Sequence, residues 1–257
     1  MSNDQLADFY HTAPVIFRCG AGVVRLSKTL VLKAGLTVSE AEAENMTFAA
    51  TRVGIRVPRV YRTFKRNITD TKIRGYIVMD YIPGQTVEEC WGSLNDSDKQ
   101  DVAAQVAALI NQMQSKTFNF LPPGPIGGTS GALLQGCWFS TYGAGPFETL
   151  QSLEDWCNHK LDVCLRFKQA PVDTPRFTFR DVVLTHQDLA PRNIILDKEK
   201  KVWLIDWGHA GIFPKGFEHA AFVVQSASHE EFTSLVLSHL SSRHEKEVLQ
   251  LANIQYG

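Results

Sequence analysis

The sequence predicts an α+β fold in which a small antiparallel sheet with one helix precedes a mainly helical part. Residues 14–33 and 60–79 carry short apolar runs separated by turn residues, which is typical of antiparallel strands. Farther along the chain, apolar residues recur at helical spacing. We therefore expect a bilobal protein, with an amino-terminal lobe over residues 1–82 and a helical lobe over residues 83–257.

Composition argues for a globular protein with a small-molecule partner. The chain has 257 residues, 44% of them hydrophobic, enough for one large domain or two small lobes. Its 26 Lys and Arg residues balance 27 Asp and Glu residues, which argues against nucleic acid or a membrane surface as a partner. Neither a signal peptide nor a run of about 18 apolar residues is visible, so we expect a cytoplasmic protein. The sequence does not indicate an oligomeric state.

The cysteines predict no metal centre. They are odd in number and scattered, without a Cys-x-x-Cys pair, so we expect reduced thiols. Cys157 and Cys164 lie seven residues apart in a predicted helix and share a face, which suits packing.

Residues 14–33 predict a small antiparallel meander. Its glycines, Gly20 and Gly22, have two interpretations. They allow the backbone to approach a nucleotide phosphate closely, but a plain hairpin turn uses the same residues. The last strand of the meander ends at Lys33.

Residues 39–53 predict the helix that accompanies the sheet. Ser39 can cap it, and Met46 begins an apolar stripe at helical spacing. Glu42 lies one turn before Met46, near the buried stripe, where a carboxylate is costly unless it is paired. Lys33 is the natural partner for Glu42. A capping box between Ser39 and Glu42 explains the residue equally well, and the sequence leaves both alternatives open.

The strand that runs through Met79 leads into a segment that leaves the sheet. Pro83 follows and must break the strand. The extended stretch with Tyr81 and Ile82 can present backbone groups to an adenine ring, and an ordinary interlobe linker is compatible with the same residues.

The second lobe contains two long predicted helices. Periodic apolar residues extend over 97–113 and over 147–167. Between them, residues 121–128 are rich in proline and glycine and show no period, which indicates either an ordered loop or a mobile flap.

The strongest motif begins at His186. Asp188 follows it by two residues, and Asn193 follows Asp188 by five. A predicted hairpin, with strands at 193–196 and 202–206, then returns Asp206 towards both. This arrangement suits phosphoryl transfer, in which a protein orients a hydroxyl and neutralises phosphate charge.

Each residue of the motif has a role in that chemistry. Asp188 would accept a hydrogen bond from the acceptor hydroxyl and take its proton. Asn193 and Asp206 offer oxygen ligands that suit Mg²⁺. His186 would hold the loop by hydrogen bonds, and Lys33 would neutralise the nucleotide's phosphates.

Several segments together resemble a known family over nearly the full length. They are Val31-Leu32-Lys33, Glu42-Ala43-x-x-Met46, Val57-Pro58-Arg59-Val60-Tyr61, Met79-Asp80-Tyr81-Ile82-Pro83-Gly84, Gly145-Pro146-Phe147, the His186 loop and Ile205-Asp206-Trp207. The chain resembles the aminoglycoside phosphotransferase and choline-kinase-like family, particularly its fungal members. The fold of that family is similar to that of protein kinases.

This resemblance implies a bilobal protein-kinase-like fold that binds ATP or GTP with Mg²⁺. It implies a nucleotide hinge from Met79 to Ile82, and it favours the pairing of Glu42 with Lys33. Gln187 stands where the family usually has glycine. The chain after Asp206, residues 207–257, is short for a protein kinase, so we expect a small-molecule acceptor.

The sequence identifies the acceptor only as a hydroxylated small molecule, such as an amine, a sugar or an aminoglycoside-like compound. Acidic residues of the helical lobe would attract a cationic acceptor, although a solvated surface explains them as well: Glu88, Glu89, Glu148, Glu154, Asp155, Asp162 and Glu218. The alternative functions are a nucleotide-binding pseudokinase or scaffold without phosphoryl transfer, and other ATP chemistry such as adenylyl transfer.

Overall fold

In the computed structural model, the amino-terminal part of the chain forms a five-stranded antiparallel sheet with the order β1-β2-β3-β5-β4. The strands are β1 (Val15–Cys19), β2 (Ala21–Arg25), β3 (Leu30–Gly35), β4 (Val60–Thr69) and β5 (Lys72–Asp80). The structure describes residues 1–127, 133–134, 136, 138–139 and 143–255, without the side chains of Cys19 and Ala227. The predicted meander corresponds to β1, β2 and β3.

One face of the sheet is covered by α1 (Asn3–Phe9), a helix that the sequence pattern does not predict. Ser2 and Gln5 cap its amino terminus reciprocally. Tyr10, just after the helix, packs with Leu32 of the sheet. The sheet therefore carries a short second helix besides the predicted one. A helix of seven residues completes only about two turns, too few for a periodic stripe to show.

The opposite face holds α2 (Glu40–Phe48), which continues as one π-helical turn (Ala49–Val53). The side chain of Ser39 caps its start, and Gly54 ends the turn with a φ of +87°. The helix predicted over residues 39–53 is therefore present, with a wider last turn.

The remaining helices and strands form the second part of the chain. The helices are α3 (Val87–Cys90), α4 (Asp96–Gln114), α5 (Leu150–Arg166), α6 (Phe217–Val224), α7 (Glu230–Ser238) and α8 (Glu245–Asn253). The strands are β6 (Gly84–Thr86), β7 (Val182–Thr185), β8 (Ile194–Asp197), β9 (Val202–Leu204) and β10 (Gly211–Pro214). They form one sheet with the order β6-β8-β9 and one pair of β7 with β10.

Several predicted boundaries shift by a few residues. The chain leaves the large sheet at Asp80 and enters the small one at Gly84, where a Cβ atom would collide with the carbonyl of Leu196. Helix α5 begins three residues after Phe147, because Thr149 caps it. Strand β9 ends two residues before the predicted end, since the chain reaches a left-handed conformation just after it.

Besides the apolar cluster between α1 and the sheet, two hydrophobic cores are found among the described residues. The larger one joins the sheet and α2 to α4, β7, β8 and β9. The smaller one lies among α5, α6 and α8 and contains Cys157 and Cys164, as their shared face predicts. These two cysteines and Cys90 are free thiols. Cys137 lies outside the described residues.

The described part of the Pro/Gly-rich segment, residues 121–127, is anchored to β10. Gly124 exchanges two backbone hydrogen bonds with Ile212, with N···O distances of 2.9 and 2.8 Å. Gly128, the end of the predicted segment, lies outside the described residues. In the part of the chain that the structure describes, no helix has the length and apolar character needed to cross a membrane.

Candidate active site

A buried ion pair joins β3 to α2. Lys33 Nζ lies 2.5 Å from Glu42 Oε1, and the two side chains are only 8% and 2% exposed. The Ser39 hydroxyl caps α2 by accepting the backbone N–H of Glu42 at 3.2 Å. Of the two interpretations of Glu42, the ion pair describes its carboxylate, and the cap involves its backbone alone.

Asp206 is a second carboxylate on the same lysine. Lys33 Nζ lies 2.9 Å from Asp206 Oδ1, and the Asp206 side chain is 43% exposed. Burial opposes the charge of Lys33, but the two carboxylates outweigh it and raise the pKa of the lysine. Burial would raise the pKa of Asp206, but Lys33 lowers it below its ordinary value. Both groups are therefore charged at neutral pH.

His186 organises the loop through both ring nitrogens. Its Nδ1 accepts the backbone N–H of Asp188 at 3.2 Å, so Nε2 must carry the proton that it donates to the carbonyl of Ile205 at 3.0 Å. The ring is fully buried against Trp207. Burial lowers the pKa of His186 to about 4, so the imidazole is neutral at physiological pH. This geometry matches the predicted loop-holding role of His186.

Asp188 is held by two neighbours in the same loop. Asn193 Nδ2 donates to Asp188 Oδ2 at 2.7 Å and to the Asp188 carbonyl at 2.9 Å. Arg192 Nη2 donates to the other carboxylate oxygen, Oδ1, at 2.5 Å. The carboxylate is thus fixed in orientation, with a side chain that is 19% exposed.

Ile205 places Asn193 next to the segment of Asp206. Its backbone N–H donates to the carbonyl of Asn193 at 3.0 Å, while its own carbonyl accepts from His186. The structure therefore brings Asp188, Asn193 and Asp206 into one region, as the predicted hairpin requires.

The donor set in this region fits a hard divalent cation. Because Asn193 turns its amide nitrogen to Asp188, its oxygen is left as a ligand, and Asp206 retains Oδ2 beside the oxygen that binds Lys33. Across the described ranges, no three His, Cys, Asp or Glu side chains cluster closely enough to hold a metal alone. A cation here would need additional oxygens from a nucleotide, which is how Mg²⁺ usually binds.

Gln187 has a left-handed backbone, with a φ of +61°. This conformation costs a non-glycine residue roughly 1–2 kcal/mol, which explains why glycine suits this position. Three contacts offset the cost. The backbone N–H of Gln187 donates to the Glu218 carboxylate, and its backbone carbonyl accepts from Gln225 at 3.0 Å. The Gln187 side chain donates from Nε2 to the Thr185 hydroxyl at 3.1 Å.

The Glu218 carboxylate binds the backbone of the His186 loop, so its oxygens are already used within the protein. Its carboxylate accepts the backbone N–H groups of both His186 and Gln187, the latter at 3.0 Å. The side chain is 1% exposed, and burial raises the pKa of Glu218 to about 7. Glu218 is therefore not part of the solvated surface, and its carboxylate does not line the cleft beside Asp188.

The predicted hinge lies at the end of β5. Met79 is buried in the larger core, and the ring of Tyr81 stacks on the guanidinium of Arg25, with 3.2 Å between Cζ and the ring centroid. The backbone N–H of Tyr81 donates to the carbonyl of Thr29. Within the described ranges, the Ile82 N–H has no hydrogen bond to a protein acceptor.

The predicted phosphate glycines lie in a tight hairpin. Gly20 alone joins β1 to β2 and has a φ of +68°. A Cβ atom on Gly22 would collide with the hydroxyl of Tyr10, so packing already explains this glycine. The structure thus shows the hairpin interpretation, and contact with a phosphate stays a prediction for Gly20 and Gly22.

A cleft of about 520 Å³ opens beside Asp188. Its described lining consists of Gln187, Asp188, Arg192, His209, Val224, Gln225, Ser228 and His229. Asp188, the predicted base, therefore lies in the wall of an open cleft.

Asn45 is a positioning residue that the sequence argument missed. The side chain is fully buried; Nδ2 donates to the carbonyls of Trp207 and Ala210 at 3.2 and 2.8 Å. Its Oδ1 accepts the backbone N–H of Ile126 at 2.8 Å. A polar residue next to Met46, inside the apolar stripe of α2, was the signal that could have revealed it.

A small sheet with a lysine–glutamate pair, set against a loop that holds a fixed aspartate, defines the class of phosphotransferases with a protein-kinase-like fold. The phosphotransferase enzyme family, APH, matches residues 23–237 of the sequence. The chain therefore belongs to this family, and the resemblance seen in the sequence is confirmed.

Solved structures support the same fold. An aminoglycoside-3'-phosphotransferase of type VIII is similar over 99% of this chain and 98% of its own, with 17% identity and a TM-score of 0.57. Aminoglycoside phosphotransferase APH(4)-Ia is similar over 98% of this chain and 86% of its own, with 14% identity and a TM-score of 0.60. APH(2")-IIa, in a ternary complex with streptomycin and ATP, covers 96% of this chain and 86% of its own, with 15% identity and a TM-score of 0.53.

At these identities, the likenesses show the fold alone. They confirm the predicted α+β architecture with an antiparallel sheet before a helical part. No curated protein sequence matches the chain.

Proposed function

We propose that the protein transfers the γ-phosphate of ATP to a hydroxyl of a small molecule. The observation that carries the proposal is the link through Ile205. This residue binds the His186 ring with its carbonyl and the Asn193 backbone with its N–H, directly before Asp206. These two hydrogen bonds fix the position of the proposed base relative to the proposed phosphate-binding residues, as in-line transfer requires.

Asp188 is the proposed base. Arg192 and Asn193 each hold one of its carboxylate oxygens, so the carboxylate keeps one orientation towards the cleft. An acceptor hydroxyl would donate its hydrogen bond to Asp188 and lose its proton there as the oxygen attacks the γ-phosphorus. The bond from the γ-phosphorus to the β–γ bridging oxygen would break, and its electron pair would leave with ADP. General-base assistance of this kind contributes typically about 10²–10⁴ in rate.

The nucleotide would lie between the sheet and the loop. Lys33 is proposed to neutralise the α- and β-phosphates, and Glu42 fixes its direction. Asn193 and Asp206 would hold Mg²⁺, which neutralises phosphate charge when it is bound. The backbone N–H of Ile82 suits an acceptor nitrogen of a purine.

The nucleotide proposal covers both ATP and GTP. One solved relative is an ATP complex and another is a complex with GDP. We propose residues 1–82 as the nucleotide-binding lobe and residues 83–257 as the acceptor lobe. We also propose a cytoplasmic location for the protein.

The test is phosphate transfer by the full chain with Mg²⁺ and ATP on a broad panel of hydroxylated compounds. Asp188→Asn should lower kcat about 10²–10⁴-fold and leave nucleotide affinity within a few-fold. Asp162→Asn is the matched control, because Asp162 pairs with Arg176 at the same 2.5 Å distance but outside the site. Nucleotide binding without transfer to any acceptor would favour the scaffold alternative, and a nucleotidylated product would favour adenylyl transfer.

A further inference from the structure

We infer that the acceptor carries a carboxylate or a phosphate group beside its reacting hydroxyl, and that Arg192 binds this oxyanion. The inference rests on the proposed phosphotransfer and names the class of its substrate. It starts from the charges that line the cleft.

The cleft offers a cationic acceptor little to bind. Asp188 is the only carboxylate in its described lining, and Arg192 is the only permanently charged cation. These two residues already pair at 2.5 Å, so no negative group remains apart from the base itself. The rest of the described wall is neutral or carries imidazole groups.

Several acidic residues of the helical lobe have other partners. Asp162 pairs with Arg176, Glu154 accepts the backbone N–H of Phe179, and Glu89 caps α3. Glu88 Oε1 lies 3.8 Å from Nε2 of His229, a residue of the cleft wall, but Glu88 does not form part of the described lining.

The residues outside the described ranges add no Asp, Glu, Lys or Arg side chain. They are Gly, Thr, Ser, Ala, Gln, Cys and Tyr. Wherever they lie, their side chains supply no carboxylate for a cationic acceptor.

Arg192 has donors to spare. Its guanidinium carries five N–H groups, and Asp188 takes one through Nη2. The side chain is 45% exposed at the cleft wall, so the remaining N–H groups can meet an oxyanion in the forked geometry that guanidinium favours. Because Arg192 touches the base, the oxyanion and the reacting hydroxyl must lie on neighbouring parts of one small molecule.

A different role for Arg192 makes a different kinetic prediction. Arg192 also holds Asp188, so Arg192→Gln should lower kcat on every acceptor and KM must separate the roles. A guanidinium that acted only on Asp188 or on the transferred phosphoryl group would leave KM unchanged for every acceptor. If it binds the acceptor's oxyanion, the same variant raises KM for anionic acceptors by about tenfold or more and leaves the KM of neutral ones near its original value.

The experiment uses four pools of hydroxylated compounds at equal concentration. They contain hydroxy acids, phosphate monoesters of polyols, neutral polyols, and amines with aminoglycosides. Phosphorylated products are identified by mass after incubation with the full chain, Mg²⁺ and ATP. Ligand-observed saturation-transfer NMR on the same pools, with Mg²⁺ and a non-hydrolysable ATP analogue, detects acceptor binding independently of turnover.

We expect product and saturation transfer in the hydroxy-acid pool, the phosphate pool or both, and these two arms identify the oxyanion. Arg192→Gln should weaken these signals about tenfold. Arg176→Gln, which removes an equally short but remote Arg–Asp pair, should not. Saturation transfer from anions without any product would overturn the phosphotransfer proposal alone. Product or binding confined to the neutral or cationic pools, a KM for anionic acceptors that is unchanged in Arg192→Gln, or binding of no pool would overturn the inference.

Discussion

The buried pair of Lys33 and Glu42 allows a quantitative test of the site. The Glu42 side chain is 2% exposed in the intact protein. In Lys33→Met, its carboxylate would face no positive partner. Removing one member of a buried ion pair typically costs about 3–5 kcal/mol, because the remaining charge must be buried alone or take up a proton. The second partner, Asp206, is 43% exposed and can be hydrated, so it adds little to the loss.

Urea denaturation followed by tryptophan fluorescence measures the free energy of unfolding. We expect Lys33→Met to lose about 3–5 kcal/mol at pH 7. The double variant Lys33→Met, Glu42→Gln should recover most of this loss, since no unpaired charge remains. Lys200→Met is the control, because Lys200 lies 2.6 Å from Asp98 but is 60% exposed, and such surface pairs contribute only about 0–1 kcal/mol.

Two results would refute the reasoning. One is a loss in Lys33→Met no larger than that in Lys200→Met. The other is a double variant no more stable than the single variant, because the loss would then not come from the stranded carboxylate of Glu42.

Three further predictions concern the loop, the sheet and the phosphate site. Burial raises the pKa of Glu218 from 4.5 to about 7, so its contribution to stability is full below pH 4.5 and lost as the pH rises through 7. Relative to Glu218→Gln, whose amide does not titrate, the unmodified protein should lose about 2–3 kcal/mol between pH 5 and 8 in urea titrations; a constant difference would contradict this. Gly22→Ala should cost about 1–3 kcal/mol because its methyl group meets the Tyr10 hydroxyl, and adding Tyr10→Phe should restore part of the loss. No rescue would mean that the strain lies elsewhere. Asp206→Asn should raise the Mg²⁺ concentration needed for half-maximal transfer by about tenfold or more, and an unchanged requirement would remove Asp206 from the metal site.

The sequence predicted those elements whose signal is long or chemically specific. Periodic apolar residues located α2, α4 and α5, and the hairpin after Asn193 correctly returned Asp206 towards Asp188. The short helix α1 escaped because two turns cannot establish a period, although the Ser2 cap was readable.

The site was less predictable where a contact joins distant segments. Nothing near Glu218 in the sequence indicates that its carboxylate supports a loop 31 or 32 residues earlier in the chain. Arg192 lies within the motif itself, yet its approach to Asp188 depends on the 3-10 turn Pro191–Asn193, which spacing alone does not reveal. Lys33 and Glu42 were easier to pair, because a buried carboxylate on α2 demands a cation nearby.

The amide of Asn45 determines how α2 can be controlled. To move this helix away from the segment that follows Asp206, the chain would have to break the hydrogen bonds of Asn45 to Trp207, Ala210 and Ile126 at once, inside a fully buried site. Glu42 lies on the same helix, one turn earlier. We therefore expect folding itself to assemble the lysine–glutamate pair.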